Sequence, residues 1–250
     1  MRDSYKLKSK PKFKQTLVWT AHDMWPFTGG CHYSGECIKY TQSCGQCPQL
    51  KSLQNGDISR WVWWRKTKAW KNLNLTIVTP SQWLANCARN SSLFQDLRIE
   101  VIPNDLEIQR FKPIEKNTAR HLLGLPQDKQ LILFGAMSST SDYRKGFHLL
   151  KPALQKLSQS PMLQERLELV IFGASEPKEP IDVGFKIRYL GRLNDDISLA
   201  LTYSAADVMI VQSIQEAFGQ TASESLSCGT PVMAFNANRL KDIVDHQQNG

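Results

Sequence analysis

The sequence predicts an α/β protein whose strands pair in parallel between layers of helix. Three observations lead there. From residue 129 onward, short unbroken apolar runs alternate with helical patterns, and strands buried on both faces read as such runs. The earlier part of the chain repeats the alternation around a Cys- and Gly-rich loop. Between the two, residues 103–126 carry three prolines and dense charge, the composition of a junction.

Taken in order, residues 16–20 read as a strand and 23–54 as the loop. Residues 57–70 read as a helix, 75–79 as a strand, 81–89 as a helix and 98–102 as a strand. Past the junction, 130–135 is a strand and 147–157 a helix, followed by strands at 167–173 and 186–190. Residues 195–205 read as a helix, 207–211 as a strand, 219–227 as a helix, 231–235 as a strand and 240–245 as the start of a helix. The domain reading is a partial first unit at 1–108, a linker at 109–127, and a doubly wound second unit at 128–250. Both ends read as cut: the first unit contributes about three strands where a Rossmann-like half has about six, and the last helix has barely begun at Gly250.

Composition sets outer bounds. The chain has 250 residues, 41% hydrophobic and 22% charged, an ordinary globular balance able to bury a core without staples. No apolar run approaches the roughly 20 residues of a spanning helix. Residues 1–14 are basic and polar rather than apolar, which is no secretory signal and leads to the expectation of a cytoplasmic protein. The net charge of +8 suits an anionic partner such as nucleotide phosphate, nucleic acid or a lipid surface, and equally a solvated basic face.

The strongest chemical signal is residues 216–224, Glu-Ala-Phe-Gly-Gln-Thr-Ala-Ser-Glu. A loop leaving a strand becomes a helix here. Gly219, Gln220 and Thr221 form the helix start, whose free N–H groups and dipole suit a diphosphate. Glu216 in the loop could accept hydrogen bonds from sugar hydroxyls, and Glu224, a turn inside the helix, from both hydroxyls of a ribose. Two glutamates at this spacing are also what a solvated helix face shows, so the surrounding motifs matter.

Those motifs are Tyr-Leu-Gly-Arg at 189–192, Ala-Ala-Asp-Val at 205–208, Ser-Ile-Gln-Glu-Ala-Phe-Gly at 213–219 and Glu-Ser-Leu-Ser-Cys-Gly-Thr-Pro-Val at 224–232, with a closing Asn249-Gly250. They resemble the nucleotide-binding half of glycosyltransferase family 4, retaining enzymes of the GT-B fold. Val-Ile-Pro-Asn at 101–104 with Phe-Lys-Pro at 111–113 resembles that family's linker motif. His-Asp-Met-Trp-Pro-Phe-Thr-Gly-Gly-Cys at 22–31 resembles a subgroup found in bacterial polysaccharide gene clusters. The resemblance implies two Rossmann-like domains facing a cleft, the first of them incomplete and on the acceptor side.

It also implies roles. Lys145 matches the lysine that holds the donor diphosphate, Glu216 the donor-sugar glutamate and Glu224 the ribose glutamate. The backbone at Leu190 and Gly191 lies near the base. The family places an arginine directly after the glycine that ends the first strand of this domain. Here Gly135 is followed by Ala136 and Met137, the loop to Lys145 is long, and Arg144 stands as the substitute. His22 matches a strand-end histidine facing the donor, with Asp23 beside it to orient an imidazole or bind an acceptor hydroxyl, and Thr28, Gly29 and Gly30 shaping the same wall. The implied partners are a nucleotide-diphosphate sugar and a glycan or lipid-linked acceptor, with no nucleic acid. The implied reaction is hexosyl transfer with retention, needing no cofactor. A non-catalytic nucleotide-sugar-binding relic is the alternative, because no glycine-rich acceptor loop is found.

Two features stand outside those roles. Cys31, Cys37, Cys44 and Cys47 are spaced C-x5-C-x6-C-x2-C, which four-thiolate structural zinc, reduced packing cysteines and disulfides would each explain. Residues 60–71 hold four tryptophans and five basic residues. They suit an anionic membrane surface at the inner face of the cell membrane, base stacking, or a helix packed on its own domain.

Overall fold

The computed structural model describes residues 16–135, 142–236 and 240–250. It divides into two compact units, one ending at Pro103 and the other beginning at Asn104.

The first unit is built on β1 (Leu17–Thr20), β2 (Leu75–Thr79) and β3 (Arg98–Val101), which pair in parallel in the order β1-β2-β3. Leu17 lies opposite Leu75, and Ile77 opposite Ile99. Helix α1 (Ile58–Trp70) starts because the Asp57 carboxylate accepts from the N–H groups of Ser59 and Arg60. Helix α2 (Gln82–Arg89) starts where the Ser81 hydroxyl accepts from Leu84 N–H. The long loop between β1 and α1 holds short 3-10 turns at Trp25–Phe27, Lys39–Thr41 and Pro48–Leu50. The loop packs on an aromatic interior: its Phe27 and the Phe94 that follows α2 are fully buried, with ring centroids 5.8 Å apart.

The second unit contains helix α3 (Lys116–Leu122), β4 (Gln130–Gly135), α4 (Phe147–Leu157), α5 (Pro161–Arg166), β5 (Leu167–Phe172), β6 (Ile187–Gly191), α6 (Asp196–Ala205), β7 (Val208–Val211), α7 (Gln220–Ser227) and β8 (Val232–Ala234). Its sheet runs β6-β5-β4-β7-β8, and every pairing is parallel. The unbroken apolar runs have the predicted cause. Leu131, Leu133, Val170 and Phe172 face one core, with Tyr203 and Met209. Ile132, Phe134, Leu169 and Ile171 face the other, with Phe147 and Leu154. Alternating side chains supply two hydrophobic layers, so each strand is buried twice.

Two expectations are corrected, and one helix is added. The segment 109–127 is not a free linker. Glu115 caps α3 by accepting from Asn117 and Thr118 N–H, Phe111 and Ala119 belong to the second unit's core, and Arg120 is 4% exposed. Residues 161–166 form a short helix started by Pro161. At 240–245 the expected helix is a single 3-10 turn, Leu240–Asp242. Residues Ala136 and Met137 lie outside the described residues.

Candidate functional site

In the second sheet the chain winds from β4 through β5 to β6, then crosses back to place β7 and β8 on the other side of β4. Neighbours β4 and β7 thus send their connections in opposite directions. The crevice at the carboxyl ends of such a pair is where doubly wound sheets bind ligands.

Both loops at this crevice are tied together. After β4, residues Tyr143–Lys145 form a 3-10 turn, capped where the Asp142 carboxylate accepts from Arg144 N–H at 2.9 Å. The Arg144 carbonyl accepts from Ile214 N–H, in the loop after β7, at 2.8 Å. Gly146 follows at φ 72°. A Cβ there would lie 2.0 Å from the Gln212 carbonyl oxygen, so only glycine lets the two loops approach this closely.

The result is an ion cluster. Lys145 Nζ donates to Glu216 Oε2 at 2.9 Å, and the Arg144 guanidinium stands 3.6 Å from the same oxygen. Arg144 also donates to the Gln215 carbonyl at 3.0 Å and to Asp142 at 3.1 Å. The Lys145 and Glu216 side chains are 16% and 17% exposed, enough enclosure to strengthen the pair and enough opening to admit a ligand.

Helix α7 begins beside it. Gly219 sits at φ 85° with no side-chain cap, and its Cβ position lies 3.9 Å from Glu216 Cγ. The first helical N–H groups, Gln220 and Thr221 among them, have no partner within the helix. One turn on, Glu224 is buried, and its Oε2 accepts from the Tyr203 hydroxyl at 2.6 Å. Burial raises its pKa, against the pull of hydrogen bonds from Tyr203 and Gln220. Gly135 ends β4 with its Cβ position 2.3 Å from the Phe172 carbonyl oxygen. Gly191 ends β6 at φ 65° with open space around it, and Leu190 packs on the core.

In the first unit His22 is exposed just past β1. The Asp23 carboxylate engages His32 Nδ1 at 2.8 Å and Trp25 N–H at 2.7 Å, so the imidazole it orients is that of His32. Thr28 is fully buried. Gly29 and Gly30 wall a cavity of about 280 Å³ that Cys31, Cys37, Cys44 and Cys47 also line. All four thiols are free. Gly29 N–H donates to Cys44 Sγ at 3.1 Å, while burial pushes the Cys44 thiol up to about 11. Among the described residues no group of three or more His, Cys, Asp or Glu is gathered to hold a metal ion. Helix α1 turns Trp63 inward, where it donates to Ser92, and buries Lys66 against the carbonyls of Trp25 and Thr28. Burial lowers the Lys66 pKa to about 8. Trp61 and Trp64 are exposed beneath Arg65 and Lys68, at 4.7 and 3.6 Å.

The sequence profile of the glycosyl transferases group 1 family matches residues 115–250, more than half of the chain. The chain belongs to that family. A D-inositol 3-phosphate glycosyltransferase of Streptosporangium roseum is 33% identical to this group 1 chain over 162 residues, 59% of this chain and 36% of that relative. The chain therefore spans about a third of that relative's length. Among solved structures, Anabaena HepE in complex with UDP-glucose superposes with TM-score 0.62 at 18% identity, covering 94% of this chain and 57% of that one. WaaG, a glycosyltransferase involved in lipopolysaccharide biosynthesis, superposes with TM-score 0.65 at 18% identity, covering 90% and 58%. At these identities the likeness is one of fold, and the fold is GT-B.

In this group 1 chain the structure gathers Lys145, Arg144, Glu216, Gly219 and Glu224 into one unit. Sequence reasoning passed over three residues that arrange them: Asp142, Gly146 and Tyr203. Lys-Gly after a capped turn is a signal available in sequence for the first two. Nothing in sequence pairs Tyr203 with Glu224, which face each other only once α6 and α7 pack.

Proposed function

We propose that this chain carries the donor site of an enzyme that moves a hexosyl group from a nucleotide-diphosphate sugar to a glycan or lipid-linked acceptor, with retention of anomeric configuration. The observation that carries the reading is the Lys145–Glu216 pair at the strand-order switch, set against the uncapped start of α7. An arriving diphosphate competes with Glu216 for Lys145 and takes the helix N–H groups as further donors. Glu216, released from the lysine, is then free to accept from hydroxyls of the transferred sugar. As the sugar–phosphate bond breaks, charge grows on the departing diphosphate, and Lys145, Arg144 and the helix start meet it without needing a metal. Glu224 takes the ribose, and holding donor and acceptor in register supplies the rest of the rate. Gly135 and Gly191 line the donor in this reading.

Two further proposals accompany it. The exposed Trp61/Arg65 and Trp64/Lys68 pairs of α1 suit an anionic lipid surface, which fits polysaccharide assembly at the inner face of the cell membrane. A structural zinc on the four cysteines, which line one cavity but are not gathered as a metal-binding group among the described residues, is the second; less than one zinc per two chains after reconstitution rules it out.

The test is a thermal-shift panel of UDP, GDP, ADP and CMP with their common sugar conjugates, on this chain and on Glu224→Ala. A nucleotide at about 100 times its dissociation constant adds roughly 2.7 kcal/mol. Stabilisation by one nucleotide class, lost in Glu224→Ala, supports the reading. A cooperative melt that no nucleotide moves refutes it for this chain.

A further inference from the structure

Tyr203 has one feature that core packing does not need. It is fully buried near the end of α6, with its ring packed edge-on against Phe172 at 5.7 Å and tilted against Phe111 at 6.4 Å. Phenylalanine would satisfy that packing. Yet the hydroxyl reaches α7 and donates to Glu224 Oε2 at 2.6 Å, a short hydrogen bond of the kind made to a carboxylate. A phenol has one proton to give, so it holds one oxygen of the carboxylate and leaves the remaining lone pairs unclaimed by this bond.

We propose that Tyr203 is a positioning residue for nucleotide recognition: its hydroxyl clamps Glu224 Oε2, fixing the carboxylate so that its other oxygen meets the ribose hydroxyls of a bound nucleotide. This rests on the reading of Glu224 as the ribose acceptor. The clamp acts in two ways. It removes the rotational freedom of a side chain that must present two acceptors in one plane. It also stabilises the ionised form in a place where burial favours the neutral one. The charged and titratable groups around Glu224 are few. Tyr203 and Asp196 face it from α6, and Cys228 lies beyond the end of α7. Asp196 opposes ionisation, and the Cys228 thiol, pushed up to about 11 by burial, stays neutral. The Gln220 side chain joins Tyr203 in holding the carboxylate. Against the burial that raises its pKa, the hydrogen bonds of Tyr203 and Gln220 are what lower it, and Arg110 joins this set only through its pair with Asp196 at 2.7 Å.

The experiment uses the whole chain and the nucleoside diphosphate that stabilises it most. Dissociation constants for that ligand and its 2′,3′-dideoxy analogue are measured from pH 5 to 8 for the wild type, Tyr203→Phe and Glu224→Ala. The wild type prefers the ribose form. In Tyr203→Phe that preference falls about tenfold at neutral pH, the scale of one hydrogen bond to a charged group, while dideoxy binding stays unchanged. The acidic loss of ribose binding moves to higher pH in Tyr203→Phe, because the carboxylate has lost a donor. Replacing tyrosine with 3-fluorotyrosine, a stronger donor of nearly the same shape, moves that loss to lower pH and serves if Tyr203→Phe does not fold. An unchanged ribose preference and pH profile in Tyr203→Phe, or an unmoved profile with 3-fluorotyrosine, overturns the assignment of Tyr203 alone. A wild type with no ribose preference at any pH overturns the Glu224 reading, and this inference with it.

Discussion

Replacing Arg120 with methionine tests the claim that the segment before β4 is part of the second unit. The guanidinium is buried, and Nε donates to the Ala205 carbonyl at 2.9 Å, Nη1 to the Lys129 carbonyl at 3.0 Å and Nη2 to Asp207 Oδ2 at 2.7 Å. Methionine fills similar space and makes none of these bonds. Asp207 keeps Lys116 at 2.8 Å and Leu131 N–H at 2.7 Å, and its side chain is a third exposed, so its share of the loss is discounted. The two carbonyls are left without this donor at roughly 1–2 kcal/mol each, and a total near 3 kcal/mol follows. In a unit of this size that lowers the melting temperature by about 6–12 °C. Burial raises the Asp207 pKa, but the hydrogen bonds of Lys116 and Leu131 N–H and the charge of Arg120 outweigh it and hold the group low. A depressed carboxylate contributes stability above its unfolded pKa of about 3.9 and loses it as pH falls through the folded value. Acidification below that point therefore costs the wild type more than the variant.

The seven tryptophans all precede Pro103, which makes the assay selective. Tryptophan fluorescence reports the first unit, and far-ultraviolet circular dichroism reports both. Arg120→Met is expected to move the dichroism transition and leave the fluorescence transition in place. A loss below about 1 kcal/mol, small even for one buried hydrogen bond, would refute the reasoning. So would a matching shift in fluorescence.

Three shorter predictions follow. Lys145→Ala lowers transfer by roughly 10²–10³ through lost stabilisation of the departing diphosphate, measured as kcat with the stabilising donor in excess; a loss under threefold counts against its role. Gly146→Ala meets the Gln212 carbonyl and a left-handed backbone, costing roughly 2 kcal/mol or more, and a melting temperature equal to wild type would contradict the close approach. Exchanging Trp61 and Trp64 for alanine is expected to reduce sedimentation with phosphatidylglycerol vesicles at least tenfold without changing nucleotide affinity; equal sedimentation of both proteins removes α1 as the lipid contact.

Much of the fold was legible because the second sheet is buried twice. The runs 130–135 and 147–157 mark β4 and α4 to the residue, since apolar continuity and a left-handed glycine are local signals. Helix α3 was hidden by Pro113 and Pro126 on either side of it, which suggest a linker although the chain between them folds. Helix α5 is too short for its periodicity to show. At the site, Lys145, Glu216 and Glu224 were each legible from their motifs, but their contacts were not. Lys145 and Glu216 meet across a sheet crossover, and Asp23 pairs with His32 because the loop doubles back, which no spacing rule encodes.

The division at Pro103 and Asn104 has a practical consequence for recombination between related enzymes. The family profile begins at residue 115, yet Phe111 is core to the second unit and its carbonyl accepts from the Ser227 hydroxyl at the end of α7. A graft spliced at the profile's edge would still find a main-chain acceptor for Ser227 at position 111, but would lose the Phe111 ring from the core wherever the host carries a smaller residue there. Chimeras that exchange donor preference between relatives should be joined ahead of Asn104, so that the transplanted half arrives with its own hydrophobic plug.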